Sequence, residues 1–184
     1  MSRSLSAAVA AAAAAAAAAE PATGAAVRLP RWIVPSTLLA SLAGLGVSIY
    51  LTIAHYTTTV TLACPESSTI NCERVTTSPE SVVFGIPVAV LGLAFFVAML
   101  GLNSPWAWGS AAPLIRRTRL GSAVVGVGFV CWLVYAELFK VDAICLWCTS
   151  VHFIGLVLFS LIVIGTAVTS AHKHPSSHSS AAAS

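Results

Sequence analysis

Charge is what this sequence has least of: nine Lys and Arg with six Asp and Glu among 184 residues, 8% of the chain. Soluble domains carry about 25% charged residues, so an ordinary solvated globular surface is excluded and a membrane protein is expected. Three long segments hold no charge at all, Ile33 to Ala54, Val82 to Leu102 and Ile144 to Val168, and a fourth, Leu120 to Phe139, has one acid, Glu137, near its end. Each provides roughly the 20 apolar residues that cross a hydrocarbon core of about 30 Å. A helix satisfies its own backbone polar groups in lipid. The expectation is therefore an all-α membrane protein, a bundle of four transmembrane helices in a lipid bilayer, with no nucleic acid partner.

Leucine is missing from the stretch where a secretory signal would need it. Ala7 to Ala19 is almost pure alanine behind Arg3, too weakly apolar and too short to span, and without the core a signal peptide carries. Residues 1–31 are read as a disordered cytoplasmic tail and 32–169 as the membrane domain. Residues 170–184, rich in Ser and His, are read as a second cytoplasmic tail. His172, His174 and His178 lie in that tail and are taken as solvated rather than metal-bound.

The few charges are placed unevenly. Arg3, Arg28 and Arg31 precede the first apolar segment, Arg116, Arg117 and Arg119 precede the third, and Lys173 follows the fourth, whereas only Arg74 and Lys140 lie on the other side. The positive-inside rule then puts both termini in the cytoplasm and the loop 55–81 outside it.

That orientation gathers cysteines. Cys64 and Cys72 lie in the outer loop, and Cys145 and Cys148 follow the short outer turn at Lys140 to Ala143. Four of the five cysteines thus share the face on which disulfides persist. The fifth, Cys131, falls inside the third segment and is expected to be a buried small hydrophobe without a redox role.

Cys145 and Cys148 are one helical turn apart, close enough to bond, and the first is expected at a helix N-terminus. Free N–H groups and the positive dipole end favour a thiolate there. Trp147 between them offers a flat amphipathic ring at the interface. Cys64 and Cys72 enclose PESSTIN, a polar stretch able to bring one sulfur to another, so that the two pairs can form a relay working through mixed disulfides. Structural disulfides would account for the loop pair but poorly for the helical one, which adds little constraint to a helix the bilayer enforces. A four-thiolate zinc site is disfavoured by seven residues between the loop cysteines, where two to four is usual. A relay ending in the membrane needs a lipid-soluble two-electron partner, and a quinone fits. His152, one turn beyond Cys148, is a candidate contact because polar groups inside a span are expensive, and Trp147 is taken as a further quinone contact. His55 is read as interfacial.

The order of these features resembles the vitamin K epoxide reductase family in its unfused bacterial form: a Cys-x7-Cys loop, then NCERVTTS, then SVVFGIPVAVLGL opening the second helix and CLWC opening the fourth. The resemblance covers about Trp32 to Ile164. It implies a four-helix bundle around a quinone, capped by the outer loop and a short half-helix. It further implies that Cys145 and Cys148 form the active pair with Cys148 nearest the quinone, that Cys72 attacks Cys145, and that Cys64 is the shuttle cysteine facing the partner. Ser78 matches a quinone-proximal Ser or Thr position, whereas His152 stands where animal members have Tyr. The implied activity is oxidation of a separate DsbA-like thioredoxin-fold protein, with the electrons passed to menaquinone or ubiquinone; the chain ends too soon after the fourth helix to include that partner. A DsbB-type oxidase is set aside because its CxxC precedes its loop pair. Epoxide reduction by thiols and a non-enzymatic scaffold with structural disulfides are the alternatives.

Overall fold

The computed structural model describes residues 30–57, 62–65 and 67–171. The alanine run and most of the Ser/His stretch, with the expectations made for them, lie outside these residues. Helix α1, Ile33–Tyr56, starts in a sequence with Pro35 in its first turn, where the missing N–H has no intrahelical partner to lose. Its buried face is made of Thr37, Ser41, Gly44 and Ser48, small residues recurring every three or four positions. The hydroxyls of Thr37 and Ser41 donate to the carbonyls of Ile33 and Thr37, so neither brings an unpaired polar group into the apolar interior.

The segment after α1 contains a short helix α2, Cys72–Thr76, and a 3-10 turn, Pro79–Ser81. A two-stranded hairpin follows, β1 Val82–Val83 against β2 Ile86–Pro87. The expectation of a helix from Val82 is corrected here. Phe84 and Gly85 both take positive φ, 51° and 79°, the pair of left-handed residues that closes a two-residue hairpin. Pro87, lacking an N–H, then ends the strand and precedes α3, Val88–Leu102. At about 1.5 Å per residue, the 15 residues of α3 reach roughly 22 Å, short of the hydrocarbon core.

A second short helix, α4 Pro105–Gly109, leads to α5, Pro113–Ala136. This third long helix starts seven residues before the expected Leu120, with Pro113 at its first position and three arginines, good helix formers, in its opening turns. Arg119 was read as a loop cation; it is instead 2% exposed. Its Nε donates to the carbonyl of Leu102 at 2.8 Å and its guanidinium lies 3.7 Å over the Trp108 ring. It thereby satisfies a terminal carbonyl of α3 and holds α4 against α5.

Helix α5 ends in a π-turn, Glu137–Val141, closed by Asp142 in the left-handed region. The chain then reverses into α6, Leu146–Ala171. Three helices, Ile33–Tyr56, Pro113–Val141 and Leu146–Thr169, are long and apolar enough to cross a membrane, with Val88–Leu102 a shorter apolar helix beside them. α1 packs against α3 and α6, and α5 against α6 and α3. Between them Phe96, Met99, Ala123, Leu158 and Ile162 form a buried core. Large apolar side chains such as Leu39, Val125, Phe139 and Phe153 face outward, as lipid contact requires. Cys131 is among the outward residues, so its expected burial is corrected.

Close approach of α1 and α3 depends on Gly44. The Phe96 ring occupies the place a Cβ would take there. Gly44→Val should therefore overpack this contact and cost about 1–3 kcal/mol, read as a lower unfolding midpoint in detergent. Phe96→Leu added to Gly44→Val should restore part of the loss. An unchanged midpoint for Gly44→Val would contradict the packing described.

Candidate functional site

The cysteine-bearing end of the molecule is organised by a few backbone hydrogen bonds. Ile70 pairs with Ile144 in an isolated parallel bridge. The Asn71 N–H donates to the Ile144 carbonyl at 3.1 Å, and the Ile144 N–H donates to the Thr69 carbonyl at 2.9 Å. Asn71 also caps α2, its side-chain oxygen accepting the Arg74 N–H at 2.8 Å, an exchange that favours Asn at this position. Cys72 follows Asn71, and Cys145 follows Ile144. The bridge therefore brings the two cysteines together from opposite sides of the same hydrogen bond. They are 1% and 0% exposed and share a cluster with Val75, Val141 and Ala143.

In this cluster Cys64 and Cys72 are joined in a disulfide, while Cys145 and Cys148 are both free. Cys145 stands immediately before α6. Its sulfur accepts the Cys148 N–H at 3.2 Å, and its carbonyl accepts the N–H and the hydroxyl of Thr149, both at 2.9 Å. It acts as the helix cap with sulfur in place of the usual oxygen. Hydrogen bonding from Cys148, thiol first and then amide, holds the Cys145 thiol below the ordinary range, against the opposing effects of burial and of Glu137. Of the two, Cys145 is thus the sulfur that forms a thiolate more readily and leaves more readily in exchange.

Trp147 packs beside the cysteine cluster, between α1 and the loop. Its Nε1 donates to the Ala63 carbonyl at 2.9 Å, and its ring meets Tyr50 edge-on at 4.8 Å between centroids. The Tyr50 hydroxyl accepts the Ala63 N–H at 3.0 Å. Both backbone groups of Ala63, next to Cys64, are held by these two aromatics. Trp147, expected as a quinone contact, is not among the residues lining the cavity below, and the contacts it makes hold the loop.

That cavity, about 300 Å³, lies between the loop and the helices. Cys148 lines it, with His152 one turn deeper and Ser78 across from the loop side. The walls include Leu51, Val88, Phe95 and Phe96, and a pocket of mainly apolar walls with a few convergent polar groups is the usual form of a small-molecule site. The Ser78 hydroxyl donates to the Val75 carbonyl at 2.8 Å. His152 is 6% exposed and its ring makes no hydrogen bond among the described residues, leaving a donor available to the cavity. His55, expected at the interface, also lines it.

Several polar lining residues were not assigned from the sequence, among them Ser48, Thr76 and Glu137. Ser48 and Thr76 are ordinary small polar residues in their segments, and nothing in one sequence marks them. Glu137, the one acid of its apolar segment, was visible but given no role; it is 7% exposed and lines the cavity.

The loop, the CxxC and the cavity fall within residues 35–163, which match the vitamin K epoxide reductase family. The chain belongs to that family. The comparison with curated proteins finds no match. Family membership and the apolar helices make the chain a membrane oxidoreductase of a generally quinone-linked kind.

Two outcomes test this geometry. In the reduced protein, the pH midpoint for alkylation of Cys145, read by mass spectrometry, should lie below that of an ordinary thiol. It should rise in Cys148→Ala, which removes the thiol bond that lowers it; an unmoved midpoint would show that Cys148 does not set it. Trp147→Phe should loosen the Ala63 clamp by about 1 kcal/mol, the typical net value of one hydrogen bond, seen as faster hydrogen exchange at Ala63 and neighbouring amides. Protection equal to wild type would count against the clamp.

Proposed function

We propose that this chain is a quinone-dependent thiol oxidase: it reoxidises a separate DsbA-like thioredoxin-fold protein and passes two electrons to a membrane quinone, supporting disulfide formation outside the cytoplasm. The observation that carries the proposal is the docking of a closed loop disulfide against an open CxxC at the mouth of an apolar cavity. In this reading the chain crosses the membrane four times, α3 completing its span with the hairpin that precedes it. Both termini are cytoplasmic and the four cysteines lie on the outer face.

The cavity fits a quinone ring in its chemistry. Leu51, Val88, Phe95 and Phe96 would hold the ring. His152, buried and without a hydrogen-bond partner among the described residues, would donate to a ring carbonyl, and Ser78 could do so after releasing Val75. A bound quinone would supply the acceptor of two electrons and two protons. The chain's own residues do the rest. Cys64, beside the clamped Ala63, meets the reduced partner and forms the mixed disulfide. Cys72 is then released as a thiolate, and it attacks Cys145 across the Ile70–Ile144 bridge. Cys145 is the accessible side of the active pair for the loop, and Cys148 is the side that opens to the cavity. In this relay, a closed loop disulfide beside reduced Cys145 and Cys148 is the state in which electrons have left the loop and not yet left the pair.

Oxidation of a reduced thioredoxin-fold dithiol by the purified chain should require added menaquinone or ubiquinone; quinone-independent turnover would sink the assignment. Cys148→Ala should abolish turnover, and Cys72→Ser should leave Cys145–Cys148 oxidised in the presence of the reduced partner. A scaffold with structural disulfides predicts no effect of Cys148→Ala. In intact cells, Cys64 of the reduced protein should be labelled by a membrane-impermeant maleimide from the outside, and labelling only after lysis would reverse the topology.

A further inference from the structure

Glu137 is an acid within a membrane-crossing segment, and the relay described above gives it no work. It is 7% exposed, and among the described residues the one ion pair is between Lys140 and Glu80, at 3.9 Å, so no cation offsets its charge. A carboxyl group held in such a place without a counter-ion is expensive. It also begins a π-turn, a helix irregularity that recurs at functional sites. The turn is folded tightly onto it: the Glu137 carbonyl accepts the N–H groups of Asp142 and, at 3.2 Å, Ala143. Its side chain lines the same cavity as Cys148 and His152. Glu80 and His55 also border that cavity, Glu80 being occupied by Lys140.

We infer that Glu137 is the proton donor and acceptor for the Cys145–Cys148 pair. The inference rests on the relay reading and concerns a step that needs no quinone. The Cys72 thiolate attacks Cys145 Sγ, the Cys145–Cys148 bond breaks, and Cys148 departs with the bonding electrons as a thiolate. The Glu137 carboxylic acid gives its proton to that sulfur and is left as a carboxylate. Resolution follows when the Cys64 thiolate attacks Cys72, closing the loop disulfide and releasing Cys145 as a thiolate, to which the bonds from Cys148 are directed. The loop has then lost two electrons and the pair has gained them. In the reverse direction the Glu137 carboxylate takes a proton from the Cys148 thiol, readying that sulfur for oxidation. Water is scarce in an apolar cavity, so a fixed proton group there replaces what solvent does for a surface disulfide.

The test is a quinone-free single turnover. The oxidised protein is mixed with excess dithiothreitol, whose dithiolate stands in for the loop, and opening of Cys145–Cys148 is followed by thiol trapping in a Cys64→Ser/Cys72→Ser background. Glu137→Gln should slow this opening by roughly a hundredfold, the lower end of what a positioned proton group contributes, whereas Glu137→Asp should retain more of the rate. Glutamine keeps the size and an acceptor oxygen of the side chain, so a role limited to holding the turn would leave Glu137→Gln at the wild-type rate and overturn the inference. Should the Gln variant fail to fold, infrared difference spectra of the wild type decide. Reduction of the pair should remove a buried protonated carboxyl band, and spectra with no carboxyl change overturn the inference as well. Neither readout depends on the quinone, so a failure here is distinct from a failure of quinone-dependent turnover.

Discussion

The site depends on one small interaction, the parallel bridge between Ile70 and Ile144. Everything that makes two distant cysteine pairs into one chemical unit follows from it. A loop of more than a dozen residues has many conformations, and closing it on a chosen point costs entropy that grows with its length. Two backbone hydrogen bonds fix that point, and the hydrophobic cluster around Cys72 and Cys145 supplies the burial that holds it. The bridge joins backbone groups, so it leaves every side chain free for packing and for sulfur chemistry. The Lys140–Glu80 pair and the Trp147–Tyr50 clamp on Ala63 add support at the loop's two ends. Ion pairs at half-exposed sites contribute less than about 1 kcal/mol, so the bridge and the apolar cluster dominate.

The bilayer imposes the second constraint, because each polar group placed in it needs a partner or a purpose. Thr37 and Ser41 find theirs in their own helix, and Arg119 in a helix-terminal carbonyl and an aromatic face. These are structural solutions, complete within the protein. His152 and Glu137 are different: both border the cavity beside Cys148, and neither has an ionic partner among the described residues. That contrast separates groups that stabilise the fold from groups retained at a cost to it.

The apolar segments, their approximate ends and the gathering of four cysteines were legible because hydrophobic length and cysteine position are properties of the sequence itself. What escaped has identifiable causes. The hairpin at Val82 to Pro87 lies in an unbroken apolar run, so hydropathy gives no sign of it; only the positive φ of Phe84 and Gly85 reveals the turn. Arg119 looked like a loop charge because its burial depends on Trp108 and Leu102, partners 11 and 17 positions away that composition cannot pair with it. Trp147 was drawn to the cavity by its place between the cysteines. The helical rotation that turns Cys148 inward carries Trp147 toward Ala63. Within the family match, Ser78 and His152 do line the cavity, and the roles assigned to them remain those of the proposed relay.

The asymmetry of the CxxC gives the proposed relay its direction. Both sulfurs belong to one turn of α6, yet they meet different surroundings: Cys145 caps the helix, receiving hydrogen bonds at the point where the loop docks, and Cys148 lies one turn further in, against the cavity. Thiolate is stabilised where donors converge, and exchange is fastest when the sulfur attacked and the sulfur released are the right ones. A helix N-terminus at the boundary between water and lipid provides both conditions with four residues of sequence. Soluble redox proteins place a CxxC at a helix start for the same electrostatic reason. Here the second sulfur, instead of being shielded by protein, is turned toward a space of about 300 Å³ with walls suited to an apolar ring, and that difference in what lies beneath Cys148 is what would let electrons leave through the membrane.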